Sequence, residues 1–246
     1  MNRTGLSIAL AIAATVGIVF ALWPELDIKL VAPFFDTQRG AFTFSYNRTY
    51  LYVRDVSNWL IALLALPAAL APAAKLFRPE RRLLIPGRAI LLMLLTLALV
   101  PGVLADVVLK KHWGRPRPID VAEFGGQEHF RPWWDPRGDC PTNCSFIAGE
   151  PSGAFWTMSA AAVAPPQWRA PAYAAALVFG SAVGVMRMAA GGHFFTDVVF
   201  AGVFAFLAIW IAHGWLYRWR PTRISDAAVE TALERLLGKA RRTEAK

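Results

Sequence analysis

Long apolar runs constrain the fold of this chain more than any other feature. A helix that crosses a bilayer needs about 20 mainly apolar residues. Six segments meet or approach that length: 5–23, 56–74, 89–109, 152–167, 170–186 and 198–217. The chain has 246 residues and is 56% hydrophobic and 17% charged, which is too apolar for an ordinary soluble domain. The sequence therefore predicts an all-α fold, a polytopic membrane helical bundle with six transmembrane helices.

Two of these spans are less regular than the others. The first follows Arg3 and could be a signal peptide, but it lacks a small-residue cleavage site before Pro24, so a retained helix is favoured. The fourth is short and ends in Pro165-Pro166.

The distribution of Lys and Arg predicts the orientation of the bundle. Arg169 follows the fourth span, and the other basic residues cluster between the second and third spans and after the sixth. They are Lys75, Arg78, Arg81, Arg82, Arg88, Arg218, Arg220, Arg223, Arg235, Lys239, Arg241, Arg242 and Lys246. These segments fall on one side together with the N-terminus, and the positive-inside rule makes that side the cytoplasm. The opposite, periplasmic side of a bacterial inner membrane then receives the loops 24–55, 110–151 and 187–197.

The chain divides into a membrane domain, 1–223, and a basic tail, 224–246. The tail reads as an amphipathic helix from Ser225 to Arg242, and its apolar stripe contains Val229, Leu233, Leu236 and Leu237. Such a helix is expected to lie on the inner membrane surface.

The formal charge of +9 does not indicate nucleic-acid binding, because the basic residues are separated by apolar runs. Anionic lipid headgroups explain them better, so the expected partners are the membrane and its lipids. Cys140 and Cys144 lie too far from any other metal-binding pair to predict a zinc site, whereas a local disulfide is plausible in the periplasm.

Two charged clusters occupy the predicted periplasmic loops. KKHWGRPRP places Lys110 seven residues before Arg117, and RMAAGGHFFTD spaces Arg187, His193 and Asp197 by six and four residues. Fixed cations suit a phosphate ester, whose transition state spreads negative charge over its oxygens. His193 and Asp197 lie one helical turn apart, so Asp197 is expected to accept from Nδ1–H and leave Nε2 as a nucleophile that forms a phosphohistidine.

Other polar residues near the clusters are given ordinary roles. Arg115 and Lys111 are expected to contact headgroups or solvent, and His112 and His213 to be satisfied interfacial residues. Asp106 is expected to pair with Lys110, one turn away.

The two clusters match the K-x6-R-P and R-x5-H-x3-D motifs, and the chain resembles the type 2 phosphatidic acid phosphatase (PAP2) superfamily of integral membrane lipid phosphatases. The resemblance implies a six-helix core over nearly the whole chain and catalysis without a metal or other cofactor. It makes His193 the nucleophile and Asp197 its orienting residue. The phosphate ligands it implies are Lys110, Arg117 and Arg187.

The middle motif departs from the family pattern P-S-G-H. In one register, Ala148-Gly149-Glu150 takes the place of S-G-H, so that Gly149 offers its amide and Glu150, in its protonated form, replaces the acid histidine. In the other, Pro151-Ser152-Gly153-Ala154 covers the motif and alanine stands at the acid position. The first register is favoured because it keeps a proton donor. Both put alanine where the family has a polar group, as in a natural variant or a deliberately inactivated protein.

Three functions stay open at this point. A lipid phosphatase is favoured, with lipid A as the preferred substrate because the altered motif looks more like the lipid A phosphatase branch. Undecaprenyl pyrophosphate, phosphatidylglycerol phosphate and phosphatidic acid are alternative substrates. The alternative of another class is a catalytically silent protein that binds or transports lipids on the same scaffold. A third possibility is phosphoryl transfer between lipids, which uses the same residues.

Overall fold

The fold is built almost wholly from helices. A computed structural model describes residues 1–45, 47–77 and 82–244, without the side chains of Leu76 and 237–244. The helices are α1 (Arg3–Leu22), α2 (Glu25–Val31), α3 (Arg48–Phe77), α4 (Gly87–Leu97), α5 (Lys110–His112), α6 (Gly149–Trp156), α7 (Met158–Val163), α8 (Pro166–Ala189), α9 (Phe195–His213) and α10 (Asp226–Glu244). A small antiparallel hairpin pairs β1 (Phe35–Asp36) with β2 (Ala41–Phe42).

Five helices of the described ranges are long and apolar enough to cross a membrane, namely Arg3–Leu22, Arg48–Lys75, Gly87–His112, Pro166–Ala189 and Phe195–Arg218. They correspond to all the predicted spans except the fourth. Over the fourth, the structure has two short helices, α6 and α7, which are separated at Thr157 and end before Pro165. The predicted count of six is therefore not confirmed. Both short helices pack against α8 and α9.

Of the basic residues predicted to be cytoplasmic, Arg88, Arg169 and Arg218 lie at one end of the bundle together with the N-terminus. Trp210 near the end of α9 donates to the Asn2 carbonyl at 3.2 Å, and Arg169 donates to the Ala164 carbonyl at 2.9 Å. The charges of Arg169 and Arg218 both act on the amino group of Met1. Arg78, Arg81 and Lys246 lie outside the described residues, as do the side chains of Leu237, Lys239, Arg241 and Arg242.

The C-terminal tail forms the predicted helix, and Ser225 caps it by accepting from the Ala228 amide at 3.1 Å. Ion pairs fix α10 against the ends of α3 and α4, which the sequence did not predict. Lys75 Nζ lies 2.7 Å from Glu230, and Arg88 Nη2 lies 2.8 Å from Asp226. The helix is thus docked to the bundle at its basic end.

Three loops meet at the opposite end of the bundle. The Phe44 amide donates to the Ala189 carbonyl at 3.1 Å, and the Ile119 amide donates to the Gly191 carbonyl at 3.0 Å. In the longest loop, Cys140 and Cys144 form a disulfide. Trp133 of the same loop packs on Phe200, with ring centroids 4.5 Å apart, so this loop covers the beginning of α9.

Candidate active site

Lys110 reaches the loop-covered end because one continuous helical rod carries it there. The rod begins with α4, passes through a π-helical segment, Ala98–Leu109, that contains Pro101, and ends with α5. Proline removes one backbone donor from a helix, and π-helical turns often occur at functional sites. Lys110 Nζ lies 2.8 Å from Asp106, which confirms the predicted ion pair.

Arg187 and Arg117 bring two further cations to this end. Arg187 lies in the last turn of α8. Its Nη1 donates to the Tyr50 hydroxyl, and its Nε lies 3.2 Å from Glu150 Oε2. Burial lowers the pKa of Arg117, and the nearby positive charge of Arg187 lowers it further. Cations crowded in this way favour the binding of an anion such as phosphate.

His193 lies at the beginning of α9, and two glycines bring it close to these cations. Gly191 adopts a positive φ of 71°, and a Cβ at Gly192 would lie 2.6 Å from Arg187 Nη2. The positive φ of Gly191 favours glycine, and a side chain at Gly192 would displace the guanidinium of Arg187. The His193 ring itself is only 2% exposed.

The hydrogen bond that orients His193 differs from the prediction. Nδ1 lies 2.8 Å from the Ser145 carbonyl oxygen but 3.8 Å from Asp197 Oδ2, so the backbone carbonyl takes the place expected for the carboxylate. A carbonyl oxygen can only accept, so Nδ1 carries the proton and Nε2 keeps its lone pair. Asp197 instead acts on the ring as a nearby negative charge.

Burial lowers the pKa of His193 to about 4. Asp197 opposes this shift, while the positive charges of Arg187 and Lys110 add to it. The imidazole is therefore neutral at physiological pH, as a nucleophile must be.

The expected role of Arg115 as a headgroup contact is wrong. Its side chain is fully buried and forms ion pairs with Asp27, at 2.7 Å, and with Asp197. Burial alone would lower the pKa of Arg115, but these two carboxylates raise it. The charge lies inside the protein because α2 supplies Asp27 and α9 supplies Asp197 as its partners. Lys111 is exposed, as expected, and His112 is exposed as well. His213 is half-buried and stacks on Tyr217, but among the described residues its Nδ1 has no hydrogen-bond partner, so the expectation of a satisfied residue is wrong.

The residues of the first middle-motif register adjoin the cations. A Cβ at Gly149 would lie 2.6 Å from Lys110 Nζ. The Ala148 amide donates to the Asp197 carbonyl at 3.3 Å. Glu150 faces Arg187. In the other register, the Ser152 hydroxyl is used within its own helix, where it donates to the Ala148 carbonyl at 2.7 Å. Ala154 is fully buried in α6.

Three residues of the site were missed by sequence reasoning. Tyr50 contacts Arg187, Ser145 contacts both His193 and Asp197, and Asp27 pairs with Arg115. Asp27 could have been noticed as a carboxylate between Leu26 and Ile28. No spacing in the sequence singles out Tyr50 or Ser145, because their contacts join distant segments.

Among the residues that the structure describes, no three His, Cys, Asp or Glu side chains are grouped to hold a metal ion. The expectation of metal-independent catalysis stays a prediction.

A neutral histidine among fixed cations, at one end of a bundle of membrane-spanning helices, defines an integral membrane phosphatase, a phosphoric monoester hydrolase. The PAP2 superfamily profile matches residues 89–223. The chain belongs to the PAP2 superfamily.

Relatives with described activities point to one branch of this family. The chain is 31% identical to a lipid A 4'-phosphatase of Francisella tularensis subsp. novicida over 219 residues, which are 89% of this chain and 98% of the relative. It is 39% identical over 104 residues to a lipid A 4'-phosphatase of Rhizobium leguminosarum, covering 42% of this chain and 45% of that relative. A lipid A 4'-phosphatase of Rhizobium etli is 39% identical over 101 residues, which are 40% of this chain and 38% of that relative. No solved structure matches the chain at a significant level.

Proposed function

We propose that this protein removes a phosphate monoester from lipid A at the periplasmic face of the bacterial inner membrane. The observation that carries the proposal is the meeting of Lys110, Arg187 and His193 at one end of the bundle. The similarity to the Francisella lipid A 4'-phosphatase over 98% of that relative supports lipid A as the substrate. The basic residues at the other end support a periplasmic site.

The three cations bind the phosphate group. Lys110 supplies a compact charge, whereas Arg117 and Arg187 present planar forks to the phosphate oxygens. The Gly149 amide, at the first turn of α6, is a further donor that can approach phosphate because no side chain intervenes. Donors fixed before the substrate arrives stabilise the charge of the transition state without rearrangement.

The chemistry proceeds in two steps. Nε2 of His193 attacks phosphorus and forms a P–N bond as the P–O bond to the lipid breaks, and the lipid oxygen takes a proton from the carboxyl group of Glu150. In the second step, the oxygen of a water molecule attacks phosphorus while Glu150, now a carboxylate, takes a proton from that water. The P–N bond then breaks, which releases inorganic phosphate and restores neutral His193. Asp197 stabilises the positive charge on the ring while the phosphohistidine exists.

Phosphate release from bisphosphorylated lipid A by the purified full chain in detergent tests the proposed function. We expect release by the wild-type protein, with mass spectrometry locating the lost phosphate, and background release by His193→Ala. His112→Ala, a change at an exposed histidine, is the matched control and should retain activity. Undecaprenyl pyrophosphate and phosphatidylglycerol phosphate serve as competing substrates. Faster release from either would reject lipid A, and background release by the wild type from every lipid would favour the silent binding protein.

The acid role of Glu150 is tested by changing the leaving group. A general acid contributes about 10²–10⁴-fold when the departing oxygen is basic, as in a sugar alkoxide. Glu150→Gln should therefore slow release from lipid A by at least about 100-fold. It should slow the first-turnover burst of p-nitrophenol from p-nitrophenyl phosphate only slightly, because that leaving group needs no proton, whereas later turnovers also need Glu150 to activate water. Equal losses in the first step on both substrates would assign Glu150 to phosphate binding instead.

A further inference from the structure

The guanidinium of Arg115 joins two carboxylates inside the protein. Its Nη2 donates to Asp27 Oδ2 at 2.7 Å, and its Nη1 donates to Asp197 Oδ1. Thr196 strengthens the group, because its hydroxyl donates to Asp27 at 2.6 Å and accepts from Arg115 at 2.8 Å. These four side chains are at most 1% exposed. The three charges thus form one network shielded from water.

Stability alone does not account for such a network. Each buried ion loses several kcal/mol of hydration, and apolar side chains of similar volume often serve the fold equally well. Two carboxylates also share one buried cation, and burial raises the pKa of Asp27, so its charged form is costly to hold in this site. A cost of this kind is typical of residues that act in function.

The network ends at the residues that hold the nucleophile. Asp197 Oδ2 accepts from the Phe194 amide at 2.8 Å and from the Ser145 hydroxyl, and the Ser145 carbonyl binds His193 Nδ1. The position of Asp197 therefore determines where Ser145 lies. Ser145 in turn fixes the rotation and the tautomer of the imidazole.

The outer end of the network is Asp27 on α2. Asp27 Oδ1 also accepts from the Thr196 amide at 3.0 Å, at the first turn of α9, so α2 is joined directly to the helix that begins beside His193. Asp27 precedes residues 89–223, which the PAP2 profile matches. A segment outside the matched region thus completes the support of the site.

We propose that Asp27 and Arg115 are positioning residues that act through Asp197 and Ser145 to orient His193 and to stabilise the positive charge it acquires. The proposal rests on the proposed phosphatase function. Neither side chain is assigned a contact with the substrate. Their loss should therefore affect the chemical step rather than the binding of phosphate.

Asp27→Asn tests this proposal, since it removes one charge at nearly constant volume. Altering the hydrogen-bond partner of a metal ligand typically costs about 10- to 100-fold in activity, and we take the same range for Asp27, which acts through Arg115, Asp197 and Ser145. We expect kcat on lipid A to fall within that range, while KM and the inhibition constant of inorganic phosphate stay within about twofold. Asp135→Asn is the matched control, because Asp135 is also buried and paired with an arginine, Arg137, and none of its contacts among the described residues is with Asp197. The control should keep the wild-type kcat. An unchanged kcat in folded Asp27→Asn, or a rise in KM alone, would overturn the proposal.

Two further measurements keep the test decisive if Asp27→Asn does not fold. Thr196→Val removes the hydroxyl shared by Asp27 and Arg115, and should lower kcat several-fold, whereas Thr196→Ser should restore it. Equal activity of the two Thr196 variants would contradict the positioning role. In a double-mutant cycle, Thr196→Val should have little further effect on kcat once Arg115→Gln is present, because the lost hydroxyl acts through Arg115. Independent effects that multiply would also contradict the proposal.

Failure of the proposed phosphatase function can be distinguished from failure of the positioning role. If the wild-type protein releases no phosphate from any lipid tested, the proposed function fails. If the wild type is active and the Asp27 and Thr196 variants match it, the function stands and only the positioning role is rejected.

Discussion

The buried imidazole of His193 links catalysis to the stability of the protein. Its pKa is lowered to about 4 by burial, whereas an unfolded histidine titrates near 6.5. Between these two pKa values, His193 is protonated in the unfolded state and neutral in the folded state. This difference destabilises the folded protein by roughly 3 kcal/mol once the pH reaches about 4, and by nothing above about pH 7.

The first prediction follows from this linkage. The thermal midpoint of the wild-type protein in detergent should fall more steeply between pH 7 and pH 4.5 than that of His193→Gln, which has no group to titrate there. Thermal unfolding of the two proteins across that pH range measures the difference. Parallel curves would show that the ring of His193 is not kept neutral by the fold.

The second prediction concerns the middle motif. Ala148 lies directly before Gly149, which adjoins Lys110, so a hydroxyl at residue 148 would be placed next to the cations. We expect Ala148→Ser to increase turnover of lipid A by a few-fold. One hydrogen bond to a charged group contributes at most about 1.5–3 kcal/mol, and backbone groups near residue 148 compete for the new hydroxyl. Ala154→His should not increase turnover, because residues 148 and 154 are both fully buried and an imidazole is much larger than the single oxygen that serine adds. The opposite pattern in a phosphate-release assay would assign the motif to residues 151–154.

At the residue scale, motif spacing predicted which residues lie together but not what supports them. Lys110, Arg187 and His193 do lie together, whereas their catalytic roles stay predictions. Arg115 was misjudged, because its environment depends on Asp27, which is 88 residues away along the chain. The orientation of His193 by a backbone carbonyl could not be predicted either, since every residue has one.

Among the elements, the disulfide loop has the most direct connection with catalysis. Cys144 immediately precedes Ser145, whose carbonyl and hydroxyl contact His193 and Asp197. The third prediction is that the double variant Cys140→Ala with Cys144→Ala loses kcat by several-fold, since Ser145 is then less firmly held. Steady-state kinetics on lipid A checks this. The wild-type protein after reduction should show the same loss, and full activity in both would show that Ser145 is held without the disulfide.

The helices show which elements a sequence can and cannot predict. Five spans were found because apolar length alone defines a membrane helix. The segment after Ala148 was harder to predict, because α6 and α7 are short, separated at Thr157 and packed within the bundle. The π-helical segment before Lys110 also has no distinct pattern in the sequence, apart from Pro101.

At the scale of the whole molecule, the account requires the site and the basic tail to lie on opposite sides of the membrane. Trp134 is 46% exposed in the loop that covers the site, and Arg235 is exposed on α10. The fourth prediction uses single cysteines at these two positions, since both native cysteines are joined in a disulfide. A membrane-impermeant maleimide should label Trp134→Cys in intact spheroplasts, and should label Arg235→Cys only after lysis. The reverse labelling would place the site in the cytoplasm.

The distribution of charge predicted which basic residues share one end of the bundle but not their tertiary contacts. The described basic residues that were predicted to lie on one side do lie at one end of the bundle. Successive spans run in opposite directions, so every second connection returns to that end. The docking of α10 through Arg88–Asp226 depends on the packed geometry of the bundle end, so it could not be read from the amphipathic pattern.

The most direct test of the account is to trap phosphate on the nucleophile. The wild-type protein is mixed with lipid A that carries radioactive phosphate, quenched in alkali, which preserves phosphohistidine, and digested for peptide mapping. The account predicts a label on the peptide that contains His193, and neither label nor phosphate release in His193→Gln. Phosphate release that continues in His193→Gln, or a label on another residue, would contradict it.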